Sequence, residues 1–295
     1  MSKHIAVVGL GSMGGAMSSA LRQAGWQVSG YDPSESARAA AADAGVHAVD
    51  DVGLLAGTPY VVLSLPSARV VEEIVPVLLA GEGTIAIVDT TTSEPATSAE
   101  FAALAAERGA AFVDAPVSGG RDGAATGSLT AFVGATPEAL ETCRPVLEAL
   151  TGGQYQHLGG PGSGNVVKLL NNVLAAANLV SVGEALAVAK AYGVDPAVAA
   201  AGISGASGGS KVSAAMYPNW VLSGTHDSGF SLGLMARDAA LAVQIADERG
   251  EQPALLAAAN QRWQDALASL GPRADFTEIA RIVAASLTNE GTSAS

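Results

Sequence analysis

The sequence predicts an α/β chain: a doubly wound, mainly parallel sheet in the first half and an all-α domain in the second. Three observations predict it. Short β-rich apolar runs alternate with stretches of helical spacing, a glycine-dense segment "GGPGSG" follows them, and no strand pattern recurs after it.

The elements follow in order. "HIAVVGL", "QVSGYD", "PYVVLSLP", "TIAIVDT" and "AAFVDAP" read as strands, and helical spacing fills 13–24, 34–44, 68–79 and 96–108 between them. Such alternation implies right-handed crossovers and parallel strands. Next come a strand at "SLTAFVG", a helix over 137–150 with Thr136 as N-cap and Pro137 in its first turn, and a strand at "QYQHLG". The glycine-dense hinge divides the chain into domains 1–162 and 163–295. A long helix is expected from about Val166 to Tyr192, and "GVDPAVAAAGI" ends one helix and starts another. Further helices are expected over 232–248, 253–270 and 276–285, and the tail "NEGTSAS" is expected to fray.

Composition narrows the function. With 295 residues, 49% apolar and 15% charged, the chain can bury a sizeable core. A formal charge of −13 lacks the positive footprint that nucleic acid or an anionic membrane requires, so a small-molecule ligand is expected. The single cysteine, Cys143, rules out intrachain disulfides and suits a reducing, cytoplasmic setting, with Cys143 itself a structural helix residue. The amino-terminal apolar run is too short and glycine-broken for a signal peptide. "VLAAANLVSVGEALAVAKAY" is long and apolar, but Asn178, Ser181, Glu184 and Lys190 interrupt it, which favours a buried helix over a membrane span.

"VVGLGSMGG" places Gly9, Gly11 and Gly14 in G-x-G-x-x-G spacing, directly after a strand and opening a helix. In that context Gly9 permits a tight turn, Gly11 lets the backbone approach a pyrophosphate, and Gly14 allows close helix–strand packing. The loop residues Leu10, Ser12 and Met13 belong to the same site, with the helix N-terminus facing the phosphates. Asp32, about 20 residues on at the end of the second strand, can accept hydrogen bonds from a ribose hydroxyl. A carboxylate there repels a 2′-phosphate, and Tyr31, Pro33 and Ser34 beside it offer no arginine, so NAD is expected over NADP.

A nicotinamide enzyme needs a proton carrier. No tyrosine is followed four residues later by lysine, and His4, His47, His157 and His226 lie far apart, with no Cys/His cluster for a metal. In "GSGNVVKLLNN", Asn165, Lys168, Asn171 and Asn172 share about a third of a helix circumference. Two readings of Lys168 stand: a snorkelling lysine, or a desolvated amine with a pKa falling towards neutrality that exchanges a proton with a substrate hydroxyl, Asn172 beside it. "DAPVSGG" likewise reads either as a tight turn or as a carboxylate site, with the Ser118 hydroxyl and the N–H groups of Gly119 and Gly120.

"GLGSMG", "LSLP", "DTTTSEP", "FVDAPVSGG", "GSGNVVKLLNN" and "FSLGLMARDAALA" run in one order over nearly the whole chain. Together they resemble the β-hydroxyacid dehydrogenase family, which includes 3-hydroxyisobutyrate dehydrogenase and tartronate semialdehyde reductase. The resemblance implies a Rossmann domain, a helical domain built around one long interdomain helix, and an active site between them. It implies that Ser118, Gly119 and Gly120 bind the carboxylate of a small substrate, and that Lys168 is the general acid/base with Asn172 beside it. It further implies that Leu65, Pro66 and Thr92 line the NAD site, and that homodimers or homotetramers form through the helical domain. 3-Hydroxyisobutyrate, tartronate semialdehyde or glycerate, four-carbon sugar acids such as threonate and sulfonated analogues all suit the scaffold.

Two positions depart from the pattern. Arg237-Asp238 stands where the family usually has Lys-Asp, which keeps a cation for a cofactor or active-site contact with different geometry. Lys211 stands where relatives often carry an aromatic or other uncharged residue, and is either an exposed loop lysine or an extra cation for a second anionic or polyhydroxylated substrate end. The alternatives to a hydroxyacid dehydrogenase are an imine reductase, which typically carries aspartate or tyrosine where Lys168 stands, and a non-catalytic dinucleotide-binding module.

Overall fold

The computed structural model describes residues 3–287, so the "NEGTSAS" tail lies outside the described residues. The chain divides into two compact units, Met1–Lys168 and Leu169–Ser295, with the division inside the long helix.

The first unit is built on nine strands: β1 (His4–Val8), β2 (Gln27–Tyr31), β3 (His47–Val49), β4 (Tyr60–Leu63), β5 (Ala86–Asp89), β6 (Ala111–Asp114), β7 (Val117–Ser118), β8 (Thr130–Gly134) and β9 (Tyr155–Gly159). Their order is β3-β2-β1-β4-β5-β6-β8-β7, with β9 on the other edge of β8. The six strands from β3 to β6 are parallel; β8 runs antiparallel to β6 and β7 and parallel to β9. The helices between them are α1 (Ser12–Gln23), α2 (Glu35–Asp43), α3 (Ala68–Leu79), α4 (Pro95–Glu107), α5 (Gly120–Thr126) and α6 (Pro137–Thr151). Thr136 caps α6 through its side chain, with Pro137 in the first turn.

Alternation along the strands fixes which helix covers which face. Ile5, Val7, Val62, Val88 and Val113 pack with Met17 and Leu21 of α1 and Val146, Leu147 and Leu150 of α6. Ala6, Val8, Val61, Leu63, Ile87 and Phe112 face the other way, onto Val71, Val75 and Leu78 of α3 and Phe101 and Ala105 of α4. A strand buried on both faces reads as a continuous apolar run, which is why these strands were visible in sequence. Cys143 is buried in the α6 face, and that burial pushes its thiol up to about 12, which suits an inert packing residue.

The second unit is helical. The long helix α7 (Ser163–Ala191) carries Ala176, Leu179, Val180, Val182 and Leu186 into one cluster, and Leu169 and Val173 into another with Ala239 and Ala242. Around it lie α8 (Pro196–Ser204), a π-helical segment (Val212–Leu222), α9 (Leu232–Asp247), α10 (Ala254–Leu270) and α11 (Ile279–Leu287). Two buried polar tips are satisfied on α7 carbonyls. Trp263 Nε1 donates to Ala176 O at 3.2 Å, and Tyr217 Oη donates to Leu179 O at 2.7 Å. By length and composition α7 could cross a membrane, yet its apolar side chains supply the core of this unit.

Three local elements differ from expectation. The stretch after "VSGG" is the short helix α5 rather than a bare turn. Lys211 does not sit in a plain loop but caps the π-helical segment, within which Pro218 removes a backbone donor. Phe276–Glu278 is a 3-10 turn leading into α11, where a single helix was expected.

Asp89, fully buried at the end of β5, has its carboxyl raised from 3.8 to about 7, chiefly by desolvation, although Thr91 hydrogen bonds oppose the shift. A folded-state pKa above the unfolded value means stability fully present below about pH 4 and lost as pH rises through about 7. At full weight the shift corresponds to at most about 4 kcal/mol. Asp89→Asn should therefore raise the melting temperature by about 5 °C at pH 8 and by almost nothing at pH 4. An equal difference at both pH values, measured by scanning calorimetry, would contradict this account of Asp89.

Candidate active site

The carboxyl ends of β1, β2, β4 and β5 lie side by side, and the loops leaving them carry most of the expected cofactor residues. Gly9 adopts φ +89°, and a Cβ there would stand 2.2 Å from Ser64 O, in the loop after β4. A Cβ on Gly14 would stand 1.8 Å from Gly9 O, so only glycine lets α1 begin this close to β1. At Gly11 a Cβ would meet nothing within 4 Å, and Gly11 caps α1 without a side-chain bond. The turn Gly9–Gly14, with Leu10, Ser12 and Met13 in it, thus presents open space and a helix N-terminus, which fits a pyrophosphate.

Asp32 follows β2 and is tied to that turn. Its Oδ2 accepts from Leu10 N–H and its Oδ1 from Ser34 N–H, each at 2.8 Å, which fixes the carboxylate while leaving lone pairs for a ribose hydroxyl. One neighbour escaped the sequence reading. Arg38, in the first turns of α2, folds back so that Nη1 donates to Asp32 O at 2.8 Å and Pro33 O at 3.2 Å. Inspecting only the residues next to Asp32 missed a cation that the helix returns to the same place.

Leu65 and Pro66 follow β4, and Leu65 N–H donates to Thr91 Oγ1 at 3.1 Å, which joins this loop to the one carrying Thr92. Ser118 ends β7, Gly119 (φ +131°) caps α5 and Gly120 opens it. The Gly119 and Gly120 N–H groups therefore sit at the start of α5.

The start of α7 is held by two buried side chains of the first unit. Asp114, at the end of β6, accepts from Gly162 N–H at 2.7 Å through Oδ1 and from Asn165 N–H at 2.9 Å through Oδ2. Desolvation raises its carboxyl to about 6, against the pull of those backbone N–H groups. Asn165 stands one turn before Lys168 on the same face of α7, as the spacing predicts, but its side chain turns into the first unit. It is buried, and its Oδ1 accepts from Ser93 N–H at 2.9 Å. Lys168, three residues on, is 9% exposed, which removes the simple reading of a solvated surface lysine.

In the second unit, Asn172 is buried and its Nδ2 donates to Asp238 Oδ2 at 2.7 Å, while Asn171 Nδ2 donates to Asn172 Oδ1 at 3.1 Å. Arg237 engages the same carboxylate, with Nη2 donating to Asp238 Oδ1 at 2.7 Å. Asp238 thus links the amide of Asn172 to Arg237, a role its neighbour in the "RD" pair masked. Lys211 is exposed at the head of the π-helical segment. Among the described residues no group of three His, Cys, Asp or Glu side chains could hold a metal ion.

What the first unit is shaped to hold is a dinucleotide, so the chain falls among the nicotinamide-type oxidoreductases. Residues 4–159 match the family model described as the NAD binding domain of 6-phosphogluconate dehydrogenase. Residues 162–283 match the one described as NAD-binding of NADP-dependent 3-hydroxyisobutyrate dehydrogenase. The chain is 32% identical to 2-(hydroxymethyl)glutarate dehydrogenase of Eubacterium barkeri over 95% of both chains. It is 35% identical to NAD-dependent L-serine dehydrogenase of Pseudomonas aeruginosa over 83% of this chain and 85% of that one. A solved structure of Mycobacterium tuberculosis 3-hydroxyisobutyrate dehydrogenase with L-serine superposes with a TM-score of 0.87 at 30% identity, covering 96% of this chain and 99% of the other. The chain belongs to the β-hydroxyacid dehydrogenase family, NAD(P)-dependent oxidoreductases that act on the CH–OH group of hydroxy acids. A Streptomyces aurantiacus imine reductase, 22% identical with a TM-score of 0.63, shares the fold alone.

Proposed function

We propose that this chain interconverts a short β-hydroxy acid and its semialdehyde or ketone, with Lys168 as the general acid/base and NAD as the preferred dinucleotide. The observation that carries the proposal is the buried Lys168 on a helix whose first turn is bonded to Ser93, next to Thr92 of the cofactor loop. The dinucleotide, when bound, takes up or supplies hydride at the carbinol carbon. Lys168, neutral in the oxidising direction, takes the hydroxyl proton, and as the ammonium it returns the proton in reduction. Ser118 Oγ and the N–H groups of Gly119 and Gly120 hold the substrate carboxylate, and Asn172, fixed by Asp238, orients the hydroxyl. Such positioning contributes several kcal/mol, on the order of effects measured for oriented intramolecular reactions.

Thr92, Leu65 and Pro66 line the cofactor, and Arg237 keeps the cation of the family's Lys-Asp pair. Asp32 supports NAD, because its carboxylate suits ribose hydroxyls and repels a 2′-phosphate. Arg38 is the countervailing feature, since a guanidinium beside the ribose could pair with that phosphate. The imine reductase reading is disfavoured by the lysine at the position that would carry the proton. A purely dinucleotide-binding module would have no use for Lys168, Asn172 and "VSGG" together.

The relatives' names share a hydroxyl one carbon beyond the acid-bearing carbon, and one of them, 2-(hydroxymethyl)glutarate, carries a second carboxylate. The exposed cation of Lys211 supports a substrate of that second kind. The exposed face of α7 supports assembly as a homodimer or homotetramer. Leu170, Leu174, Ser181, Ala185 and Val188, with Tyr192 just beyond the helix, are all exposed, and their spacing sets them on one stripe. The charge and the cysteine content keep a cytoplasmic setting and argue against nucleic-acid or membrane partners.

The test is a panel of L-serine, 3-hydroxyisobutyrate, 2-(hydroxymethyl)glutarate, D-glycerate, threonate and 2,3-dihydroxypropane-1-sulfonate, each with NAD+ and NADP+. At least one should turn over, faster with NAD+. Lys168→Ala should lower kcat about 10³-fold on it while NADH binding stays within about threefold. No turnover across the panel, or near-normal kcat in that variant, would contradict the mechanism. Lys211→Ala should raise KM about two- to fivefold for a dianionic substrate and leave monoanions unchanged. A light-scattering mass of two or four chains is expected in solution; a mass of one chain contradicts assembly.

A further inference from the structure

We infer that Asn165 is a positioning residue for Lys168, locking the first turn of α7 to the loop that follows β5 so that the amine is presented in one geometry. The inference rests on Lys168 being the proton carrier. Asn165 is fully buried, and every polar group on it that the helix does not use is engaged within the first unit. Its Oδ1 accepts from Ser93 N–H at 2.9 Å, and its Nδ2 donates to Ser98 Oγ at 3.0 Å and to Ser93 Oγ at 3.3 Å. Its own N–H donates to Asp114 Oδ2, beside the Gly162 N–H bond to Oδ1.

The surroundings leave this turn no slack. A Cβ on Gly164 would stand 2.2 Å from Phe132 O and 2.8 Å from Asp114 Oδ2, and one on Gly134 would stand 2.5 Å from Asp114 Oδ1. The helix therefore starts in contact with β8 and the Asp114 carboxylate, and it cannot slide without a steric clash. Lys168 lies one turn further along, about 4.5 Å up the axis and adjacent on the helix surface. An amide that ties the turn below to the segment holding Thr92 thus fixes the base of the lysine relative to the cofactor loop. Displacement by about 1 Å, from a change remote from the chemistry, can cost on the order of 10²-fold in rate.

The experiment is a double-mutant cycle in the full-length chain, with NAD+ and L-serine or 3-hydroxyisobutyrate, whichever turns over faster. Asn165→Ala should lower kcat about 10- to 100-fold while NADH affinity, by fluorescence titration, stays within about threefold. In the Lys168→Ala background the same substitution should change the residual rate by less than about threefold, because the group it positions is gone. Ser98→Ala, which removes one acceptor only, should show the same pattern at about 3- to 10-fold, and it carries the test if Asn165→Ala does not fold. Equal losses in both backgrounds would make Asn165 merely structural, and an unchanged kcat in the Lys168-containing chain would give it no role; either overturns the inference while leaving Lys168 in place. Near-normal kcat in Lys168→Ala itself overturns the assignment of the lysine, and this inference with it.

Discussion

A carboxylate sealed at the end of β6 sets where α7 begins. Asp114 sits where water cannot reach it, and backbone N–H groups at the head of α7 point at it, opposing the desolvation that raises its carboxyl to about 6. That arrangement serves two needs at once. The helix start gains an acceptor for donors that have no partner inside the helix, and the buried charge gains the partial positive end of a helix. Because the glycines around it leave no room for side chains, the contact has one geometry rather than several. The chemistry assigned to Lys168 inherits its precision from that contact.

The rest of the first unit follows the logic of parallel sheets, whose strand ends gather loops at one edge. There the turn Gly9–Gly14, the Asp32 carboxylate, and the loops with Leu65 and Thr92 are joined by direct hydrogen bonds. The Asn172–Asp238–Arg237 linkage does similar work within the helical unit, holding a buried amide through a buried acid. Asp32 and Asn172 are thus each oriented by a partner that does not itself react. Preorganisation of this kind is what lets a modest set of side chains catalyse hydride and proton transfer together.

Much of this was legible in sequence because it depends on local patterns. Strands buried on both faces appear as apolar runs, helices as 3.6-residue periodicity, and the dinucleotide turn as three glycines after a strand. The features that escaped depend on the third dimension. Asn165 was grouped with Lys168 because the two share a helix surface, yet its side chain turns to Ser93 and Ser98, more than sixty residues earlier in the chain. Asp114 was visible in "DAPVSGG" but drew notice only as the prelude to Ser118; its partners lie about fifty residues on. Arg38 returns to Asp32 from the first turn of α2, a reach that inspection of immediate neighbours does not span. The π-helical segment gave no signal, because its widened turns have no characteristic period in so short a stretch.

The account turns on where the Lys168 amine lies when both substrates are present. A crystal structure of the chain with NAD+ and a hydroxy acid that it oxidises should place Lys168 Nζ about 2.6–3.2 Å from the carbinol oxygen. A complex in which that oxygen is bonded to some other titratable side chain, with the amine directed elsewhere, would contradict it.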